Sequence, residues 1–181
     1  MIYIPTGSEL LDADKVVAHL DLRAGMKIAD LGCGAKGHFV FPSAKLVGEN
    51  GVIYAVDILK SALNNVMSQA KLQNFANVAP IWSDIEVYGG AKEIVDESCD
   101  AAYLVNVHAK QTMIKEALRT LMKGGRLLLV DWKAAATPFG PPTKDRISVE
   151  EAKKRAAGFN LELESEFEAG PHHWGLIYRK I

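Results

Sequence analysis

The segment Asp30–Gly37 carries the residue types that a nucleotide-like ligand would need. It reads Asp-Leu-Gly-Cys-Gly-Ala-Lys-Gly and contains the spacing G-x-G-x-x-G. Glycine has no Cβ, so a ligand can lie directly against such a turn. The spacing alone is a weak signal, because nicotinamide- and flavin-binding proteins share it. The first candidate binding residues are therefore Gly32, Cys33 and Gly34, with close packing of a small side chain as the alternative for Cys33.

Asp30 separates two kinds of ligand. A dinucleotide brings a pyrophosphate, which favours bare backbone N–H groups at a helix N-terminus and is repelled by a fixed carboxylate. S-adenosylmethionine brings no phosphate; it brings an ammonium and a sulfonium, which a carboxylate favours directly or through water. Because Asp30 stands two residues before the first glycine, we predict that it contacts S-adenosylmethionine. The alternative is an acid that caps a helix or braces the loop.

Further polar residues follow the next two apolar runs. Asp57 comes roughly 20 to 25 residues after the glycines, where an acid can accept hydrogen bonds from both ribose hydroxyls. Four further members of the predicted cofactor site are Ile58, Ser83, Asp84 and Ile85. Within this set, Asp84 would accept the adenine amino group and Ile85 would cover the ring. Capping of a turn is the alternative for Asp84.

Asn106 and His108 follow the fourth apolar run, at the edge where open α/β sheets bind ligands. We predict in-line displacement at the sulfonium methyl, which depends mainly on holding two reactants in line. His108 is the candidate base if the acceptor must lose a proton, and Asn106 would orient the acceptor or cover the cofactor. A surface role is the alternative for His108. Trp132 fits core packing and a pocket wall equally well.

Apolar runs alternate with amphipathic stretches from residue 27 onward, which predicts parallel strands joined by crossover helices. The predicted strands are Lys27–Leu31, Val52–Val56, Val78–Trp82, Ala101–Val105 and Arg126–Val130. The predicted helices are Phe39–Val47, Leu59–Leu72 and Thr112–Leu121, preceded by Ser8–Leu20 with Ser8 as its cap. The fold class is a doubly wound α/β sheet, which places the candidate residues at the carboxyl ends of its strands.

The chain changes character after Asp131. Thr137–Thr143 is rich in proline and glycine and predicts a loop, which we expect to cover the acceptor. A helix over Ser148–Ala157 follows, capped by Ser148. Two closing strands, Leu161–Glu168 and Trp174–Arg179, are separated by Gly170-Pro171 and predict a hairpin at the sheet edge.

With 181 residues, the chain is long enough for one sizeable core and short for two ordinary domains. We therefore expect a single domain over residues 1–181. Its predicted parts are a helical lead-in at 1–25, a cofactor-binding half at 27–131, and a substrate side at 132–181.

Charge and composition favour no macromolecular partner. The formal net charge is −1, so no global field would gather nucleic acid or anionic lipid. No run of 18 apolar residues is present, and Met1–Pro5 does not begin an export signal. Cys33 and Cys99 form neither a disulfide framework nor a zinc motif, and His172 and His173 lack partners at metal-ligand spacing. We expect a cytoplasmic protein without a membrane span or metal, with these histidines in a turn or edge strand.

Four segments are similar to the successive motifs of the class I, Rossmann-like methyltransferases. They are Asp30–Gly34, Val56-Asp57, Ser83-Asp84 and Leu121–Leu127. The resemblance implies a seven-stranded, mostly parallel sheet with a late antiparallel strand, S-adenosylmethionine as cofactor and S-adenosylhomocysteine as product. From Asp131 to Ser148 the chain looks most like small-molecule enzymes related to the quinone-biosynthesis methyltransferases, which implies a small-molecule acceptor. It departs from them by lacking a long N-terminal helical cap and a large insertion after the fifth strand.

Three other functions stay open. Residues Glu49–Asp57 also resemble fibrillarin-type RNA methyltransferases, although the neutral charge and the lack of a basic-aromatic tract weigh against RNA. The glycine spacing also fits an NAD-dependent oxidoreductase. A non-catalytic cofactor-binding module is the third possibility, because the substrate cap is missing.

Overall fold

The structure is a computed structural model that describes residues 7–138 and 140–181, without the side chain of Ser8. The strands are β1 Lys27–Leu31, β2 Val52–Asp57, β3 Val78–Trp82, β4 Cys99–Val105, β5 Leu121–Trp132, β6 Leu161–Gly170 and β7 His173–Lys180. The α-helices are α1 Ala13–Ala18, α2 Val40–Val47, α3 Lys60–Leu72, α4 Gln111–Thr120 and α5 Val149–Ala156. Two short 3-10 helices cover Gly7–Leu10 and Thr143–Asp145.

All seven described strands form one sheet in the order β3-β2-β1-β4-β5-β7-β6. Strands β1 to β5 pair in parallel, and β7 pairs antiparallel with both β5 and β6. The chain changes direction across the sheet between β1 and β4, which is the switch point where such sheets bind ligands. The predicted fold class, including the antiparallel hairpin at one edge, is confirmed.

Helices cover both faces of the sheet. One apolar cluster joins the sheet to α1, α2 and α3, and a second joins it to α4 and α5. Successive strand residues point to opposite faces, so Ile28 belongs to the first cluster and Ala29 to the second. The central strands β1 and β4 are therefore buried on both sides, as their continuous apolar runs predict.

The N-terminal helix is shorter than predicted. In place of one helix over Ser8–Leu20, the 3-10 helix is followed by α1, which starts after Asp12. Asp12 is extended, and its side chain accepts a hydrogen bond from the backbone N–H of Lys15 at 3.2 Å. An N-cap of this kind starts a new helix. The side chain of Ser8, the predicted cap, lies outside the described residues.

The other boundaries differ from the predictions mainly at β5. This strand was predicted as Arg126–Val130, yet it begins at Leu121, which pairs with Cys99 ahead of an irregularity in the ladder. Gly124, a residue type that favours turns, lies inside the strand. The cap of α5 is confirmed, because Ser148 Oγ accepts a hydrogen bond from Glu151 N at 3.1 Å.

The described residues contain no membrane-spanning helix, no cluster of metal ligands and no disulfide. None of its helices has both the length and the apolarity needed to cross a membrane. Among the same residues, no three His, Cys, Asp or Glu side chains lie close enough to hold a metal ion. Cys33 and Cys99 are both buried and form no disulfide.

Candidate functional site

The glycine turn lies at the carboxyl edge of the sheet, directly after β1. Gly32 and Gly34 have φ angles of +88° and +66°, which favour glycine. The N–H groups of Gly32 and Cys33 donate to the carbonyl oxygen of Val56 at 2.8 and 3.0 Å, so the turn stays attached to β2. A Cβ on Gly32 would lie 2.7 Å from Val107 Cγ1, whereas the space beside Gly34 is open. Gly32 therefore makes room for Val107, and Gly34 leaves its backbone uncovered on that side.

Asp57 connects the turn to the end of β2. Its Oδ2 accepts a hydrogen bond from Gly34 N and its Oδ1 accepts one from Leu59 N, both at 2.9 Å. These two bonds hold the buried carboxylate in one orientation. A carboxylate oxygen has two lone pairs, so each oxygen keeps the capacity to accept a second donor such as a ribose hydroxyl.

A cavity of about 350 Å³ lies beside Asp57. Its lining consists of Gly32, Asp57, Ile58, Ser83, Asp84, Ile85, Glu86, Val107 and Met113. Ser83 is buried, and its Oγ has no hydrogen-bond partner in the described chain. Asp84 Oδ1 accepts a hydrogen bond from Glu86 N at 2.8 Å, so Asp84 caps a turn while it lines the cavity. Apolar walls with a few convergent polar groups are typical of small-ligand sites.

Asp30 is the most unusual acid at this edge. It is 2% exposed, and its Oδ2 has no hydrogen-bond partner among residues 7–138 and 140–181. Burial, and after it the negative charge of Asp57, raises the pKa of Asp30 to about 7. A cationic group nearby would favour the ionised form and satisfy the buried oxygen. Asp30 is therefore suited to bind a positive charge.

The turn after β4 is held in an uncommon backbone conformation. Asn106 and His108 have φ angles of +56° and +61°, a region that non-glycine residues rarely adopt. Asp131 is buried, and its Oδ2 accepts a hydrogen bond from His108 N at 2.9 Å. Arg155 of α5 donates to the carbonyl oxygen of His108 at 2.7 Å. Such conformations persist only where the surroundings determine them, and they are frequent at functional sites.

The segment after β5 folds over Trp132, which is 3% exposed. The guanidinium of Arg146 lies 5.0 Å from the centroid of the indole ring. Arg146 donates at 2.6–3.3 Å to the carbonyl oxygens of Lys133, Ala135 and Pro141 and to Thr137 Oγ1. A Cβ on Gly140 would lie only 2.5 Å from an indole carbon. Arg146 thus holds Lys133, Ala135, Thr137 and Pro141 together, and both Arg146 and Gly140 lie against Trp132.

His173 differs from its predicted place in a turn or edge strand. His172 lies in the hairpin turn, but His173 begins β7, which lies inside the sheet between β5 and β6. Its side chain is fully buried. The physical reason is the register, which pairs His173 with Trp132 at the end of β5.

Residues 22–160 match the profile of a family described as the methyltransferase domain, which is well over half of the chain. The chain belongs to this methyltransferase family. A solved structure of a SAM-dependent methyltransferase from Aquifex aeolicus superposes on this family member with a TM-score of 0.85. At 23% identity it covers 98% of this chain and 94% of that chain, and it supports the same fold.

Curated relatives of this methyltransferase-family chain extend well beyond the matched region. This chain is 24% identical over 142 residues to aklanonic acid methyltransferase of Streptomyces sp., and the match covers 77% of this chain and 61% of the relative. It is 31% identical over 130 residues to the ubiquinone/menaquinone biosynthesis C-methyltransferase of Haemophilus ducreyi, covering 70% and 46%. The chain thus spans about half the length of these relatives. The resemblance to class I and quinone-biosynthesis methyltransferases is confirmed.

The structure brings together part of the predicted site of this methyltransferase-family chain. The predicted cofactor residues that line the cavity are Gly32, Asp57, Ile58, Ser83, Asp84 and Ile85. Those outside its lining, although at the same edge, are Asp30, Cys33, Gly34 and Asn106, and His108 lies outside it as well. Glu86, Val107 and Met113 line the cavity but were not predicted. The only signal for Val107 was its place between two candidate residues.

Proposed function

We propose that this chain is an S-adenosylmethionine-dependent methyltransferase that acts on a small molecule. The proposal is carried by the buried carboxylate of Asp30, whose Oδ2 lacks a hydrogen-bond partner in the described chain. A pyrophosphate would add negative charge beside Asp30 and Asp57, whereas an ammonium or sulfonium would neutralise it. Membership of the methyltransferase family supports the same choice.

The residues present fit this cofactor. Asp57 would bind the ribose hydroxyls through the free lone pairs of its fixed carboxylate. Ser83, Asp84 and Ile85 would bind the adenine, and the buried Ser83 Oγ would thereby gain a partner. Asp30 would face the positive end of the ligand. Bound S-adenosylmethionine supplies a methyl group on a positively charged sulfur.

Catalysis by this chain would rest on alignment more than on acid–base chemistry. Methyl transfer by in-line displacement needs two reactants held in line, because the leaving group is already activated. We propose that Asn106, fixed in its strained turn, orients the acceptor or covers the cofactor. His108 is the proposed base for an acceptor that must lose a proton. The same turn presents both residues, which gives them a common position at the sheet edge.

A small molecule is the proposed acceptor, because the net charge of −1 provides no field for nucleic acid. The relatives named above act on aklanonic acid and in quinone biosynthesis, which supports a small organic acceptor here. We also propose one domain over residues 1–181, since both apolar clusters share one sheet. A reducing compartment, the cytoplasm, is proposed because both cysteines are free.

Transfer of a labelled methyl group tests this function. The protein is incubated with methyl-labelled S-adenosylmethionine and a panel of quinols, phenolic acids and thiols, with transfer RNA and acceptor-free reactions in parallel. We expect label in a small acceptor, with one S-adenosylhomocysteine formed per methyl transferred. Binding without any transfer would indicate a non-catalytic module, and label in RNA alone would indicate an RNA methyltransferase. Either result would overturn the proposal.

A further inference from the structure

His173 is a fully buried imidazole that the proposed cofactor site does not use. It is the first residue of β7, and it pairs with Trp132, the last residue of β5. It is 0% exposed, and neither Nδ1 nor Nε2 has a hydrogen-bond partner among residues 7–138 and 140–181. Buried polar atoms in native proteins nearly always have a partner. These two nitrogens therefore need an explanation.

The surroundings keep this imidazole neutral. Burial, with the charges of His172, Arg146 and Lys133 acting in the same direction, lowers the pKa of His173 to about 4. A neutral imidazole has one N–H donor and one nitrogen acceptor. At neutral pH His173 can therefore both donate and accept a hydrogen bond, but it is a weak base.

Packing alone does not account for a histidine at this position. The imidazole lies 4.2 Å from the Trp132 ring, with the two planes tilted by 42°. A phenylalanine ring could make a similar contact without burying two polar atoms, and leaving such atoms unpaired is costly. The nitrogens of His173 are therefore the feature that distinguishes it from an apolar core residue.

The position of His173 points to the acceptor side of the proposed site. Trp132 ends β5, which is separated from β1 only by β4. Ile28 and Val130 belong to the same apolar cluster, so the alternation of strand residues places Asp30 and Trp132 on that same face. The Trp132–His173 pair thus lies at the same edge and face as Asp30, on the side away from the cavity at Asp57.

We propose that His173 binds an uncharged oxygen of the methyl acceptor, a hydroxyl or a carbonyl, and so selects oxygen-bearing acceptors. This inference rests on the proposed function. The positive charge of Arg146, and that of Lys133 although it is paired with Glu168, disfavours a cationic acceptor at His173. Because His173 is 0% exposed, the acceptor reaches it only when the residues that cover it move away. The role of His173 is to bind and select the acceptor.

Nuclear magnetic resonance of the full chain labelled with ¹⁵N-histidine tests the inference directly. The protein is saturated with S-adenosylhomocysteine, and the signals of His173 are assigned by their loss in His173→Phe. The three probes share an aromatic ring. Toluene carries no polar group, phenol carries a neutral oxygen, and benzylamine carries a cation. We expect only phenol to shift the ring nitrogens of His173. We also expect phenol to bind about 3- to 10-fold more tightly than toluene, the effect of one hydrogen bond.

Three variants separate a role of His173 in binding from a role in structure. His173→Phe should bind phenol and toluene equally while remaining at least as stable as the parent to urea, because it buries no unpartnered nitrogen. His172→Phe changes the neighbouring histidine in the turn and should keep the preference for phenol. Partial recovery of that preference in His173→Asn, which again offers a donor and an acceptor, would support the assignment.

Two results would overturn the inference. One is a His173 signal that no probe moves in the S-adenosylhomocysteine complex. The other is a preference for phenol that persists in His173→Phe. Failure of S-adenosylhomocysteine to bind in calorimetry would instead count against the proposed function. The same probe titrations on the protein without that ligand would then still report whether His173 binds an oxygen.

Discussion

At the scale of single residues, Asp30 combines a cost in stability with a use in binding. A carboxyl group that is 2% exposed, near Asp57 and without a partner at one oxygen in the described part of the chain, destabilises the folded state whenever it is ionised. A cationic ligand would remove that cost on binding. A stability cost concentrated at a single residue is characteristic of a functional site.

Replacing Asp30 by Asn should change the pH dependence of stability. Burial raises the pKa of Asp30 to about 7 in the folded protein, from an ordinary value of 3.8. The folded state therefore holds the proton more tightly, and its stability falls as pH rises from about 4 to 7. Asp30→Asn removes this loss. The unfolding free energy of the variant minus that of the parent should therefore be about 2–3 kcal/mol larger at pH 8 than at pH 5. Urea unfolding at both values checks this.

The same substitution has a second expected effect, on the cofactor. A bound ammonium or sulfonium favours ionised Asp30, so binding releases a proton and the affinity of the parent protein should rise with pH up to about 7. In Asp30→Asn the affinity should be lower and nearly independent of pH over this range. Equal pH profiles for S-adenosylmethionine binding in the two proteins would contradict the role of Asp30.

Replacing Asp57 by Ala should weaken S-adenosylmethionine binding by roughly 1–3 kcal/mol, because the ribose hydroxyls lose their charged acceptor. Asp100→Ala is the matched control, since Asp100 Oδ2 also accepts a backbone hydrogen bond, from Lys27 N, but at the opposite edge of the sheet. Isothermal calorimetry on both variants measures the difference. Unchanged affinity in Asp57→Ala would remove Asp57 from the site.

Some site residues could be predicted from the sequence because they directly follow a strand. Asp57 ends β2 and Ser83 follows β3, so the apolar pattern determines which edge of the sheet they occupy. Val107 and Met113 reach the cavity through the left-handed turn at Asn106 and the placement of α4. Hydrophobic periodicity does not report such features. The burial of His173 likewise depends on the register between β5 and β7.

At the scale of elements, the apolar runs predicted the bounds of β1 and β3 best. The bounds of β1 and β3 agree with the predicted ones, because continuous apolar runs end where the strands reach the sheet edge. The N-terminal helix was overestimated, because its apolar spacing continues across Asp12, which caps α1. The start of β5 was missed because Gly124 favours a turn locally, whereas pairing with β4 holds it in the strand.

The segment 133–141 is expected to depend on one side chain. The planar guanidinium of Arg146 donates to three carbonyl oxygens and one hydroxyl of this segment, a pattern that the ammonium of lysine cannot reproduce. Arg146→Lys should therefore speed amide hydrogen exchange in 133–141 while leaving β1 and β2 unchanged. Exchange measured by mass spectrometry on the parent and the variant checks this.

Arg155→Lys is the matched control for that experiment. Arg155 also donates a hydrogen bond to a turn, but to the one at His108. Replacing Arg155 by Lys should therefore leave amide exchange in 133–141 unchanged. Equal exchange in the parent and in Arg146→Lys would show that other contacts hold the segment. It would also weaken the expectation that this loop opens to admit the acceptor.

At the scale of the whole molecule, the topology explains why distant acids can act together. Asp30 is the residue before the last of β1, Asp57 ends the neighbouring parallel strand β2, and Asp84 follows the next strand at the same edge. Larger cavities of about 580 and 730 Å³ lie elsewhere, the first at the opposite edge near Glu97 and Lys180. Neither has these acids in its lining. The electrostatics of the carboxyl edge, more than cavity size, therefore identifies the candidate site.

We propose that the carboxyl edge of the sheet, at Asp30 and Asp57, selects a cationic nucleoside without phosphate. The most direct measurement is calorimetric titration of the purified protein with S-adenosylmethionine and, separately, with NAD at pH 7.5. We expect saturable binding of one S-adenosylmethionine per chain, weakened in Asp30→Asn, and no measurable binding of NAD. Saturable binding of NAD together with no heat from S-adenosylmethionine would contradict it.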